Sequence, residues 1–196
     1  MNTLFARTLI CSFTFASSLF VLEAARAQAI FRTEISSVPT VTLSTADFLL
    51  GKIDGKPAMI AGELRIPKPG TDRLPAVVLV HGSGGVGFNI GMWVGELNKA
   101  GFATFVIDSF TGRGIANTIT DQAQLSSYAM MNDAYAALAA LAKHPRVDPN
   151  KIAVMGFSKG GYPQFTPAWT VSSKPTLLRA PGLPPISVST HRVTWR

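Results

Sequence analysis

Cysteine is nearly absent from this sequence: Cys11 is the only one in 196 residues, and it lies near the N-terminus. A disulfide framework and thiol chemistry are therefore excluded from the rest of the chain. Acidic residues are also scarce, 11 against 18 basic, and none follows Asp148. The resulting formal charge of +7 is scattered. There is no Lys/Arg run and no basic helix face, so the charge carries no nucleic-acid footprint. Internal repeats are lacking, and no His, Cys or carboxylate spacing suggests a metal. What remains, 47% hydrophobic and 15% charged residues, fits one globular domain with a core of its own.

The N-terminus supplies part of that apolar content. Met1 to Arg7 is positively charged, Thr8 to Leu22 is an uncharged apolar run, and Ala27-Gln28-Ala29 places small residues where a signal peptidase reads. Residues 1–29 read as a secretory signal peptide cleaved after Ala29, which predicts a periplasmic or secreted protein. The alternative is a membrane anchor, but the run is short for a span of about 20 residues. No stable anchor is expected after cleavage, and Ile10 before Cys11 argues against lipidation.

Residues 30–161 read as an α/β core. Phe31 to Phe48 holds one or two edge strands, and Ala58 to Ile66 alternates loosely before the turn Pro67-Lys68-Pro69-Gly70. Pro75 to Val80 is a β-branched run, as a central strand covered on both faces requires. The spacing of Ile90, Trp93, Leu97 and Ala100 predicts a helix over 90–100, stopped by Gly101. Phe102 to Ile107 is a second buried strand, ending at Asp108. A long helix is expected from Asp121, with Gln124 as its capping-box partner, to Lys143-His144-Pro145. Ile152 to Met155 reads as a third buried strand. Strands alternating with helices imply a mostly parallel sheet with right-handed crossovers.

Two glycine motifs terminate strands. Gly156-Phe157-Ser158-Lys159-Gly160 is Gly-x-Ser-x-Gly, the pattern of a nucleophile elbow. A serine on a sharp strand-to-helix turn has strained backbone angles, and glycines two residues to either side remove the Cβ atoms that would clash. His81-Gly82-Ser83-Gly84-Gly85 ends the strand at Val80. Its backbone N–H groups, with Ser83 and Gly84 as the candidate donors, suit an oxyanion hole completed by the N–H of Lys159. His81 and Gly82 shape that loop. The same stretch also satisfies Gly-x-Gly-x-x-Gly through Gly82, Gly84 and Gly87, with Asp108 ending the next strand. That layout can bind a dinucleotide, the pyrophosphate at the helix start and the acid on a ribose. Against it stand His81, which has no use there, the unexplained Gly156 to Gly161, and the export signal. No cofactor is expected.

Val77 to Gly85, Val106-Ile107-Asp108-Ser109-Phe110 with Arg113-Gly114, and His144 to Pro149 leading into Gly156 to Gly161 together resemble the dienelactone hydrolase group of the α/β-hydrolase superfamily. The resemblance spans Pro75 to Gly161. It implies an α/β-hydrolase-type, mostly parallel sheet with flanking helices. It further implies a serine hydrolase with Ser158 as nucleophile, acting on a small-molecule ester or lactone through an acyl-serine intermediate. The superfamily places its catalytic acid and histidine after the serine. Here no Asp or Glu follows Ser158. One histidine does, His191, the candidate base, whose alternative is an exposed residue on a terminal segment. Residues 162–196 hold six prolines and nine Ser or Thr, without helical periodicity; only Ile186 to Trp195 looks strand-like. This break predicts a truncated or divergent C-terminal part, with family-like sequence ending near Gly161. The competing expectation is a non-catalytic truncated pseudoenzyme or exported binding domain.

Overall fold

The computed structural model describes residues 30–52 and 54–161, together with the backbone of 177–178 and 186–187. The leader read at residues 1–29, His191 and most of the proline-rich stretch lie outside the described residues.

Five strands form one sheet: β1 (Arg32–Thr42), β2 (Lys56–Ile66), β3 (Leu74–Val80), β4 (Ala103–Asp108) and β5 (Val147–Gly156), in the order β1-β2-β4-β3-β5. The parallel pairing expected from strand–helix alternation holds for β3 with β4 and β3 with β5. Strands β1 and β2 extend the sheet antiparallel, so the whole is mixed. Strand β3 explains its own sequence. Val78 and Val80 join the core on one face, and Val77 and Leu79 join a second cluster on the other. Both faces are apolar because both are covered.

Helix α2 (Phe88–Lys99) covers the second face with Ile90 and Val94. Helix α3 (Ser127–Leu141) covers the first with a nearly continuous buried surface from Ala129 to Leu141. A short helix, α1 (Thr45–Leu49), begins at Ser44, whose side chain accepts from the Asp47 N–H. Two short strands, β6 (Leu177–Leu178) and β7 (Ile186–Ser187), pair antiparallel apart from the main sheet.

Two expectations need correction. Helix α3 starts at Ser127, not near Asp121. Asp121 instead caps a separate 3-10 turn, Gln122–Gln124, through the Ala123 N–H, and Leu125 then returns to extended backbone. The working cap is Ser126, which accepts from the Ala129 N–H at 3.0 Å. Gln124 is spent on the turn. The run Ile152 to Met155 is also less buried than an apolar strand suggests: only Ile152 is buried, Val154 and Met155 are half-buried, and Ala153 is exposed. Among the described residues β5 pairs with β3 alone.

One buried ion pair fastens the two halves of the sheet. Asp133 on α3 accepts two hydrogen bonds from Arg113, Nη1 and Nη2 each at 2.8 Å, and a third from Thr40 Oγ1 on β1 at 2.9 Å. Arg113 also donates through Nε to Thr42 Oγ1 and through Nη1 to Ser109 O. The bidentate geometry and the filled remaining valences are what a buried pair needs to offset its desolvation.

Candidate active site

The site is built where β3, β4 and β5 end together, because parallel strands deliver their C-terminal loops to one edge. After β5 the chain turns at Phe157 and enters a 3-10 turn, Ser158–Gly160. Ser158 has φ +49°, the only positive value among the described non-glycine residues. That left-handed conformation costs a non-glycine residue on the order of 1–3 kcal/mol. It is held from both sides. A Cβ on Gly156 would lie 2.3 Å from Gly160 O, and one on Gly160 would lie 2.3 Å from His81 O. Neither position admits a larger residue without moving backbone. The Gly160 N–H closes the turn onto Phe157 O at 2.9 Å. The N–H groups of Ser158 and Lys159 therefore precede the first bond and have no partner within the turn.

After β3, residues Gly82–Gly85 make a tight turn closed by the Gly85 N–H on Gly82 O at 3.1 Å, with Gly85 at φ +82°. Among the described residues, no backbone oxygen accepts from the N–H of Ser83 or Gly84. The two turns touch: a Cβ on Gly82 would lie 3.2 Å from Ser158 Cβ and 3.1 Å from Phe157 O. The Phe157 N–H also donates to Val80 O at 3.0 Å. Ser158, itself exposed, thus stands beside the first glycine of the other motif.

His81 is completely buried and fully engaged. Its Nδ1 donates to Gly82 O at 2.7 Å, and its Nε2 accepts from the Ser109 N–H at 3.1 Å. These partners fix one neutral tautomer. Burial pushes its pKa below the ordinary histidine value, against the opposing pull of the Gly82 contact and of Asp108. With both nitrogens occupied, His81 shapes the loop and has no lone pair to offer Ser158. His144 sits before β5, and Ser158 follows it; a ten-residue strand spans roughly 33 Å, so the two lie at opposite edges. His144 instead bonds Glu34 at 3.3 Å.

Asp108 is likewise occupied. Its carboxylate accepts from the Phe110 and Thr111 N–H groups and the Thr111 hydroxyl. Burial works against its ionisation, but these hydrogen bonds outweigh it and hold the pKa below the usual carboxylate value. It caps a loop, so a ribose would have to displace three donors. With Gly82 packed on Ser158, a dinucleotide across Gly82, Gly84 and Gly87 has little in its favour. Among the described residues no group of three His, Cys, Asp or Glu side chains could hold a metal ion.

A family model described as the dienelactone hydrolase family matches residues 60–180, more than half of the chain. The chain belongs to this family. The match starts ahead of Pro75 and runs beyond Gly161 into the proline-rich stretch. Solved structures give further likenesses. An esterase from Pyrobaculum calidifontis is 27% identical with a TM-score of 0.46, the alignment covering 74% of this chain and 41% of that one. A thermophilic carboxylesterase cloned from a metagenomic library is 24% identical with a TM-score of 0.45, covering 74% and 43%. An acetyl xylan esterase from Paenibacillus sp. R4 is 24% identical with a TM-score of 0.45, covering 69% and 45%. The chain spans less than half the length of these structures. A search of curated proteins finds no match.

Two contacts around these turns of a dienelactone hydrolase-family chain have no signal in the local sequence. The first is the partner of Arg113, Asp133, which stands in helix α3 without any local signal. The second is Gln122. Its Oε1 accepts from Ser83 Oγ at 3.0 Å and from Lys159 Nζ at 3.1 Å, and its main-chain oxygen accepts from the same Nζ at 2.6 Å. Lys159 is only 7% exposed, and burial pushes its pKa down, against the pull of Asp121. A cavity of about 630 Å³ lined by Thr42–Thr45 and Gln122–Tyr128 shares only Gln122 with these turns.

Proposed function

We propose that this member of the dienelactone hydrolase family hydrolyses a carboxylic ester or lactone through an acyl-serine intermediate at Ser158. One observation carries the reading: a serine at φ +49° with Gly82 against its Cβ, where two turns meet whose leading N–H groups find no backbone acceptor among the described residues. In the first step Ser158 Oγ attacks the substrate carbonyl carbon and gives up its proton. The carbonyl oxygen takes the negative charge and is met by the N–H groups of Lys159 and of Ser83 or Gly84. Collapse, with that proton passed by the base to the leaving oxygen, expels the alcohol or opens the lactone ring and leaves the acyl group on Ser158. Water then attacks the acyl carbon, restoring the serine and releasing the acid. Losing one oxyanion donor typically costs about 10²–10³ in rate.

The step that takes the serine proton needs a base. Among the described residues no histidine reaches Ser158, and His191 remains the proposed base. This favours keeping a second reading, a non-catalytic product of the same family that retains the pocket. Hydrolysis of a p-nitrophenyl ester by the chain beside Ser158→Ala separates the two. A rate well above that of Ser158→Ala is expected; equal rates remove the enzyme and leave the binding domain. The proposal further takes residues 1–29 as an export leader. Material recovered outside the cytoplasm should begin at Ile30, and a retained Met1 would overturn that part.

A further inference from the structure

The segment from Ile115 to Ser126 has no regular structure beyond the turn Gln122–Gln124, yet it touches both turns of the site. The Thr118 N–H donates to Ser83 O at 2.8 Å. The Ile119 side chain reaches within 3.9 Å of where a Cβ on Gly84 would stand, and Ala116 O lies 3.8 Å from the same point on Gly85. Gln122 then joins the two turns to each other. Its Oε1 takes the Ser83 hydroxyl and the Lys159 ammonium at 3.0 and 3.1 Å. Ser83 and Lys159 belong to the two turns that meet where Gly82 packs on Ser158.

We infer that Gln122 is a positioning residue, its amide oxygen clasping Ser83 to Lys159 and so setting the distance between the two sides of the oxyanion hole. The inference rests on the acyl-serine reading above. A glycine-rich turn loses much conformational freedom on ordering and has few side chains to hold it. Donors that stabilise a developing charge must nevertheless be in place before it develops. Misplacement by about 1 Å can cost about 10²-fold. The buried Lys159 has no carboxylate at salt-bridge distance among the described residues, so ion pairing does not explain its burial. It is directed at Gln122 instead.

Both side-chain contacts use Oε1 as an acceptor, so glutamate preserves the clasp and leucine removes it. The test compares wild type, Gln122→Leu and Gln122→Glu in p-nitrophenyl ester hydrolysis, and in hydrogen exchange of the Gly85 and Gly160 amides, which close the two turns. In Gln122→Leu, kcat should fall about tenfold to a hundredfold with KM changed less than about twofold, while Gln122→Glu stays within about threefold of wild type. Exchange at both glycines should be faster in Gln122→Leu alone. An unchanged kcat in Gln122→Leu, a Gln122→Glu as impaired as Gln122→Leu, or unchanged exchange at either glycine overturns the clasp. If wild type is no faster than Ser158→Ala, the acyl-serine reading falls instead, and the exchange rates alone decide the clasp.

Discussion

Two polar clusters hold down the loops at the end of this sheet, and they are built on different terms. At Arg113 and Asp133 both charges are buried, 6% and 0% exposed at the side chain, and each meets the other head-on with neighbouring hydroxyls and a carbonyl completing the set. At Lys159 a buried ammonium meets, among the described residues, only the neutral oxygens of one glutamine, beside an exposed serine in a strained turn. The first cluster ties β1, the loop after β4 and α3 into one body. The second joins two turns that must stay open to a substrate. A charge matched at contact by an opposite charge is architecture here; Lys159, with no carboxylate at salt-bridge distance among the described residues, borders the site.

The largest expected effect breaks the first cluster. Asp133→Ala should lose about 3–5 kcal/mol in urea unfolding, because it strands a buried guanidinium. Pairing it with Arg113→Met should recover a good part of that. A single-mutant loss below about 1 kcal/mol would mean that the ion pair is not what joins the halves.

Next comes the strain on the other side of the comparison. Ser158→Gly and Ser158→Ala should both lack Ser158-dependent hydrolysis, yet the glycine variant should be more stable than the alanine variant by about 1 kcal/mol, since only glycine is at ease at positive φ. Equal stabilities in denaturant titration would mean that the turn stores no strain.

A smaller effect sharpens the contrast between the charges. Lys159→Met should change stability at pH 7 by no more than about 1 kcal/mol, far less than Asp133→Ala, because water can reach the exposed Gln122 oxygens it vacates. The sign of the pH dependence follows from burial. The unfolded lysine keeps a pKa near 10.5 while the folded one gives up its proton earlier. The unfolded state therefore binds more protons in the window just below 10.5, and wild-type stability should rise with pH there. Lys159→Met should lack this rise, which parallel unfolding curves at pH 8 and pH 10 would reveal.

The smallest effect concerns Thr118, whose Oγ1 is buried with no partner among the described residues. Thr118→Val keeps the shape and removes an unsatisfied hydroxyl, so stability should be unchanged or higher by up to about 1 kcal/mol. A loss above that would indicate a hydrogen bond that the hydroxyl makes in solution.

Much of the parallel half was legible because its signals are local. The β-branched run of β3 reports burial on both faces, and alternate residues indeed enter two different clusters. The glycines around Ser158 report crowding, and the crowding atoms are backbone oxygens. Legibility failed where a local signal had two uses. Asp121 has the look of a helix cap and does cap a turn, but Leu125 interrupts the backbone before α3 begins. Apolar residues in β5 suggested a covered strand, whereas coverage depends on what pairs beside it.

By itself, then, the sequence determined the strands that converge on one edge, the strained serine turn and the glycine turn beside it, since each is set by residues within a few positions. Only the tertiary structure decided that His81 is locked in a neutral, fully bonded state, that Arg113 finds Asp133, and that Gln122 spans Ser83 and Lys159. Those contacts join residues 20 to 39 positions apart in the chain. Hydrogen-bonding groups carry no record of their distant partners in the surrounding sequence, and which of them meet is settled when the sheet and its helices bring the loops together.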